Sequence, residues 1–282
     1  VTVRDALLLR PLCQPVLDAE LARHRDHAPH LVGVDLEPVL AFARRLLGVE
    51  PLDGRRLRAA LAAEFPDLDA AALAYACRNH LTLVQVPPRG LWRRSGQVTT
   101  TTIEAWTGLE IDPDPSIDAV VLRYLAAFGP ATIADVTTWS RLGALGDVLE
   151  RLRPRLRVFR DERGRELFDL PDAPRPDPSV PAPPRFLPEY DNLLLSHADR
   201  SRFVTEVDRR RLSDGTRAVH GSVLIDGMLG ATWRVEASDL VVDHLHPLAK
   251  RTADRVAAEG RRLMRLLVPD RTGDVRLELL PS

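Results

Sequence analysis

Lysine is almost missing from this chain: of its 39 basic side chains, only Lys250 is not an arginine. Compositional bias across an Ala-, Arg- and Pro-rich sequence accounts for that preference, so only clustered arginines carry functional information. Cysteine is scarce too. Cys13 and Cys77 lie far apart without metal-type spacing, which excludes a disulfide framework and a thiolate zinc site. Reduced, buried thiols in a cytoplasmic chain are the expectation. No apolar run approaches the roughly 20 residues of a membrane span, and Val1–Leu9 is too short and wrongly flanked for a signal peptide. Gly-x-Ser-x-Gly, Gly-x-Gly-x-x-Gly and phosphate-loop signatures are all missing, so no small-molecule cofactor is expected. Net charge is −1. A nucleic-acid partner is therefore not announced by bulk charge, and any such case rests on where the charges sit.

What is present is a globular chain of 282 residues, 45% hydrophobic and 28% charged, enough for about two domains with real cores. From Asp35, Leu36, Val39, Leu40, Ala43 and Leu47 recur at helical spacing, with Asp35 as N-cap and Gly48 as stop. A second helix is predicted from Asp53 through Leu57 and Leu61 to Pro66. A third follows an Asp67 or Asp69 cap and runs into Arg78, Asn79 and His80. The period then changes to two. Leu81–Val86 and Trp92–Thr102 read as strands around a Pro87-Pro88-Arg89-Gly90 break. Three helices followed by a hairpin are the sequence shape of a winged helix.

The same order returns downstream. Ile117, Val120, Val121, Tyr124 and Phe128 share one face. Thr132 caps a helix through Val136 and Trp139, and Leu145–Leu152 follow the Arg141-Leu142-Gly143 turn. Leu156–Phe159 and Leu167–Leu170 then flank a turn at Asp161–Gly164. Residues Ala131–Leu152 resemble a helix-turn-helix, whose second helix usually enters a major groove.

Arginines cluster at the tips. Arg78, Arg89, Arg93 and Arg94, with His80 and Trp92, gather at one end of the first unit. Arg160, Arg163 and Arg165 repeat the arrangement in the second, diluted by Asp161 and Glu162. Phosphate neutralisation by these groups would give salt-sensitive binding of double-stranded DNA, with Trp92 against sugar or an exposed base. Helical triplets with hairpins also serve protein contacts, and that reading stays open beside the first.

The run Pro171–Pro184 neither pairs in a sheet nor continues a helix and reads as a stiff strap. Beyond it, Arg185–Arg200 is strand-like and a helix follows through Phe203, Val207 and Arg209–Leu212. Val219–Ile225, Gly227–Val235 and Leu240–Leu245 form a meander with an Asp226-Gly227 turn. Arg251–Leu267 is a basic amphipathic helix and Val275–Leu279 a last strand. The expected fold class is α+β, ending in an antiparallel sheet or barrel-like domain with helices.

Two further clusters invite chemical readings. Glu189 and Asp191, two apart on a strand, would face the same way and orient a water or an arginine. A salt-bridging role is the simpler reading. In Asp243-His244-Leu245-His246 two imidazoles share a strand face, but zinc needs at least a third ligand; His220 could supply it, and nothing in the sequence says that they meet. No metal site is expected.

The run Leu187-Pro-Glu-Tyr-Asp-Asn-Leu-Leu-Leu-Ser-His-Ala-Asp-Arg200 after a Pro-rich strap strongly resembles a signature of one family. Arg10-Pro-Leu-Cys-Gln-Pro-Val-Leu17 is similar to another segment of it. The family is the winged-helix DNA-binding proteins that include the AlkZ and YcaQ crosslink-repair DNA glycosylases. The resemblance implies tandem winged helices and a β-barrel-like domain around a channel for duplex DNA. It further implies excision of N7-alkylpurines, and a channel that Tyr190, Asp191, Asn192, His197 and Arg200 would line. It makes residues 1–30 a connecting remnant of an upstream winged helix. Winged helices are then expected at 31–112 and 113–170, a linker at 171–185 and a β-rich domain at 186–282. The glycosylases carry a catalytic Gln-x-Gln or Gln-x-Asp motif in the first winged helix. Here Gln14, Gln85 and Gln97 are the only glutamines, and no two are one residue apart. The catalytic motif and the first winged helix are therefore expected to be missing from this chain. A cytoplasmic, nucleoid-associated DNA-binding protein is the resulting expectation, with a glycosylase, a non-enzymatic regulatory or protective binder and a protein-interaction platform as the competing functions.

Overall fold

The computed structural model describes residues 2–212, 220–269 and 273–280. It is an α+β chain of two compact units. One comprises Val1–Val121 with Arg141–Ala144, and the other Leu122–Ser140 with Leu145–Ser282. The boundary therefore crosses the helix Ile117–Phe128 rather than falling at the strap.

The first unit opens with α1 (Val3–Leu12) and α2 (Gln14–Arg23). Then come α3 (Glu37–Val49), β1 (Leu52–Asp53), α4 (Gly54–Glu64), α5 (Ala70–His80), β2 (Leu83–Gln85), β3 (Thr99–Thr102) and α6 (Ile103–Thr107). Aspartate side chains start the two middle helices. Asp53 accepts from the backbone N–H groups of Arg55 and Arg56, and Asp69 from that of Ala72, satisfying donors the helix leaves orphaned. Gly48 does not end α3; the helix continues to Val49. Val39, Ala43, Leu47, Leu57, Leu61, Leu73 and Cys77 form the core. Strand order is β1-β3-β2, both pairs antiparallel. The Thr101 hydroxyl donates to the Leu47 carbonyl at 2.6 Å, tying β3 to α3.

The return strand is shorter than its sequence implies. Trp92–Val98 is not part of it, because Leu91 N–H bonds to Pro88 O and Arg94 N–H to Leu91 O. Those are turn bonds, and Gly90 and Arg93 have positive φ of 91° and 57°, incompatible with a pleated strand.

α7 (Ile117–Phe128) leads into the second unit. There, α8 (Ile133–Ser140), α9 (Leu145–Leu152) and the antiparallel hairpin β4 (Arg157–Arg160) and β5 (Glu166–Asp169) follow the expected order. The strap leaves β5 with Arg175 ion-paired to buried Asp169 at 2.9 Å and stacked over Phe159. After it, only β6 (Arg185–Leu187) of the expected Arg185–Arg200 strand is extended. The rest is a turn, α10 (Asn192–Leu195) and a short 3-10 turn. α11 (Glu206–Leu212) begins later than expected and leaves Phe203 outside.

β7 (Gly221–Ile225), β8 (Met228–Glu236) and β9 (Asp239–His244) form the meander, joined at the first turn by Asp226 and Gly227 with φ of 50° and 82°. Both positive values suit the two-residue hairpin turn that Asp-Gly signals. The expected start of the first strand, Val219, lies outside the described residues. α12 (Lys250–Leu267) packs Val256 and Met264 on this sheet, and β10 (Val275–Leu279) follows. The sheet order is β10-β9-β8-β7-β6. Among the described residues its two end strands do not pair with each other, so the sheet is open. It is also mixed, because β10 runs parallel to β9: α12 serves as the crossover that parallel neighbours require.

Candidate nucleic-acid interface

Arg89, Trp92, Arg93 and Arg94 all sit on the β2–β3 loop and are exposed, Trp92 by 63%. A tryptophan so open is not contributing to a core. Among the described residues, Arg89 and Arg94 have no carboxylate within ion-pair distance. Arg89 makes one long contact, 3.4 Å, to the Gly96 carbonyl. Two uncompensated guanidinium groups and an open indole on one turn can neutralise phosphate and press on a flat ring.

Arg78 is exposed on α5 and lies over the Tyr75 ring at 5.9 Å. It shares a cleft with Gln85 and Gln97 at the hairpin root. His80 does not join the tip. Its Nδ1 is 3.7 Å from Asp18 and 3.4 Å from the Gln14 amide, so it belongs to the packing of α5 on α2. Arg10 completes that packing, donating to the Asn79 carbonyl and to Gln14, and Tyr75 donates to Glu20 at 2.9 Å.

The second hairpin carries acids among its arginines. Arg160 pairs with Glu166, Arg165 with both Asp161 and Asp199, and Arg163 with Asp199. The expected second cationic tip is thus a network of matched charges. Asp199 is held far below the usual carboxylate range by hydrogen bonds from Ser201 and Arg165.

The Leu187–Arg200 run is chiefly a latch. Tyr124 donates to the Ser196 carbonyl at 2.6 Å, and His197 Nε2 lies 3.1 Å from the Phe128 carbonyl. Asp135, only 2% exposed, accepts from the N–H groups of Thr132 and Ala198. His197 is 2% exposed, its ring held between Ser196 and the Phe128 carbonyl. Asp191 caps α10 by accepting from Leu193 N–H at 2.9 Å. Tyr190 is 70% exposed with a positive φ of 57°. Asn192 is exposed and Arg200 half-buried. The signal that would have exposed the latch was the density of capping and hydroxyl residues in the run, which are turn formers rather than strand formers.

Burial, and next the charge of Arg202, holds the His197 imidazole below its ordinary pKa of 6.5. A lowered pKa means that the unfolded chain binds the proton more readily. The contribution of neutral His197 is complete above the unfolded value and is lost as pH falls through the folded one. We expect the denaturant midpoint to drop as pH falls below the ordinary value of 6.5, and His197→Gln, though less stable throughout, to lose that slope. An unchanged slope in the variant would assign it to other groups.

The residues of the Asp243–His246 run are engaged with protein partners. Asp243 pairs with Arg234, His244 donates to the His246 carbonyl at 2.9 Å, and His246 lies 2.9 Å from Asp208. Among the described residues, no three or more His, Cys, Asp or Glu are placed to hold a metal ion. Burial raises the Cys77 thiol to about 12, which leaves it inert, while Cys13 is half-buried. No helix of the described residues is long and apolar enough to cross a membrane.

The DNA glycosylase AlkZ-like family matches residues 1–266. A search of curated proteins gives no match. Among solved structures, the Streptomyces sahachiroi DNA glycosylase AlkZ superposes with a TM-score of 0.72 at 19% identity, over 98% of this chain and 77% of that one. That likeness extends the family's fold to nearly the whole chain. With the family match spanning all but the last residues, the chain belongs to the DNA glycosylase AlkZ-like family.

Proposed function

We propose that this chain binds double-stranded DNA through winged-helix units formed by α3–α5 with the β2–β3 hairpin and by α7–α9 with β4–β5, in the service of repairing alkylated DNA. The observation that carries the reading is the first hairpin tip, where Arg89, Arg94 and Trp92 stand open without acidic neighbours. Family membership supports a DNA substrate and a glycosylase-like role. The charge matching on the second hairpin assigns it a smaller share of the affinity.

Base release is a separate matter. An N7-alkylpurine leaves through a glycosidic bond already weakened by the positive charge on the ring, so an enzyme need only place a water and stabilise an electron-poor sugar. Glutamine amides one residue apart suffice for that, and no two of the three here have that spacing. Gln14 is held by Arg10 and Asp18, and Gln85 and Gln97 stand apart in sequence on the β2–β3 hairpin. Asp191, a carboxylate within the family signature, is committed to capping α10. We therefore assign these residues binding without excision.

One experiment reads both halves. Anisotropy with labelled duplexes, either intact or carrying N7-methylguanine, is expected to give similar, strongly salt-dependent affinities. Alkaline cleavage after single-turnover incubation is expected to show no abasic sites beyond spontaneous depurination. Absence of duplex binding would overturn the first half. Excision well above background, lost in Asp191→Asn, would overturn the second.

A further inference from the structure

The first unit contains a cleft of 840 Å³ between α4, α5 and the root of the β2–β3 hairpin, within the range of small-ligand sites. On α5 it is lined at positions 71, 74, 75 and 78, a single helical face by the three- and four-residue rule. Its floor is apolar, with Leu57, Leu81 and Leu83 beside two alanines. Its rim carries Arg55, Arg58 and Arg78, all exposed, and no aspartate or glutamate lines it. At the hairpin wall stand Gln85 and Gln97, two of the three glutamines in the chain.

Resting on the DNA-binding reading above, we propose that this cleft is a subsite for one unpaired nucleotide of a bound strand. Three chemistries meet here. A flat apolar floor accepts the face of a base. Side-chain amides, each offering donors and an acceptor, meet its polar edge. Arginines on a rim whose lining holds no carboxylate meet its phosphate. Inorganic phosphate would leave the floor and amides unused, and a paired base is not presented to such a recess. A base already out of the stack enters without the unstacking cost.

The test compares a fully paired duplex with one bearing a single bulged 2-aminopurine, using the full chain. Binding to the bulged duplex is expected to be on the order of tenfold tighter, as two or three added hydrogen bonds would give. Its emission should become shielded from acrylamide. Gln85→Ala with Gln97→Ala, and separately Arg55→Ala with Arg58→Ala, should abolish both the preference and the shielding while leaving paired-duplex affinity within about twofold. All four side chains are at the surface, and circular dichroism verifies that the variants fold. Equal affinity for the two duplexes would overturn the subsite while leaving duplex binding intact. So would a preference untouched by these variants, or arginine variants that weaken both duplexes alike. Failure to bind either duplex would instead remove the DNA-binding reading and this one with it.

Discussion

Replacing Arg89, Arg93 and Arg94 together with alanine is expected to remove most of the salt dependence that the first hairpin gives to duplex binding. Each phosphate neutralised by a protein cation releases condensed counterions and contributes about 0.9 to the log–log slope of affinity against salt. Three lost contacts flatten the slope by about 2.7, so the fall in affinity between 50 and 200 mM salt shrinks about 40-fold. All three side chains are exposed, and Arg89 reaches the Gly96 carbonyl only at 3.4 Å, so the core is untouched. Thermal midpoints within about 1 °C of wild type would confirm an intact protein. Trp92→Ala separates the electrostatic from the apolar part. It should weaken binding by about 1–3 kcal/mol if the indole stacks on a base or sugar, with the slope unchanged. A triple variant with the wild-type slope would mean that the tip does not meet the backbone.

The first hairpin shows what could be read from sequence and what could not. Arginine clustering, Pro-Pro-Arg-Gly punctuation and the change of period located it. Its conformation was hidden, because residues 92–98 have strand-like composition but bend back through local hydrogen bonds. The starts of α4, α5 and α8 were legible from Asp53, Asp69 and Thr132, since capping is a contact within four residues. Those of α6 and α10, capped by Thr102 and Asp191, were not. Charge pairing was not. Asp199 reaches Arg163 and Arg165 from more than thirty positions away, and no local pattern announces that. His80 failed for the same reason, its partners Gln14 and Asp18 lying on α2. The parallel pairing of β10 with β9 escaped as well, although the long helix between them is what a parallel crossover needs.

The family signature is the sharper lesson. A resemblance singled out Leu187–Arg200, and lining a DNA channel was the role it implied. Ser196 and His197 are instead buried, and the segment's backbone supplies the acceptor for Tyr124 and a donor for Asp135. A buried polar cluster of this kind is intolerant of change because each group satisfies another, so a motif can be specific to a fold without touching a ligand.

That reasoning makes Asp135→Ala the most destabilising single change expected in the second unit. The carboxylate is 2% exposed and accepts from Thr132 N–H at 2.8 Å, Thr132 Oγ1 at 2.8 Å and Ala198 N–H at 2.9 Å. It thereby caps α8 and fastens the 196–199 segment to it. Alanine leaves two part-buried backbone donors, on Thr132 and Ala198, without their acceptor, at about 1–2 kcal/mol each, besides losing the cap. A total of about 3–5 kcal/mol follows, or a melting midpoint lowered on the order of 10 °C. Asp135→Asn discriminates the cause. Its one remaining oxygen can serve Ala198 N–H, but its amide then faces the Thr132 donors, so roughly half the loss should remain. Denaturant titration of the three proteins, monitored by Trp139 fluorescence as well as circular dichroism, measures both values. An alanine variant within about 1 kcal/mol of wild type would show that water replaces the carboxylate and that the latch holds without it.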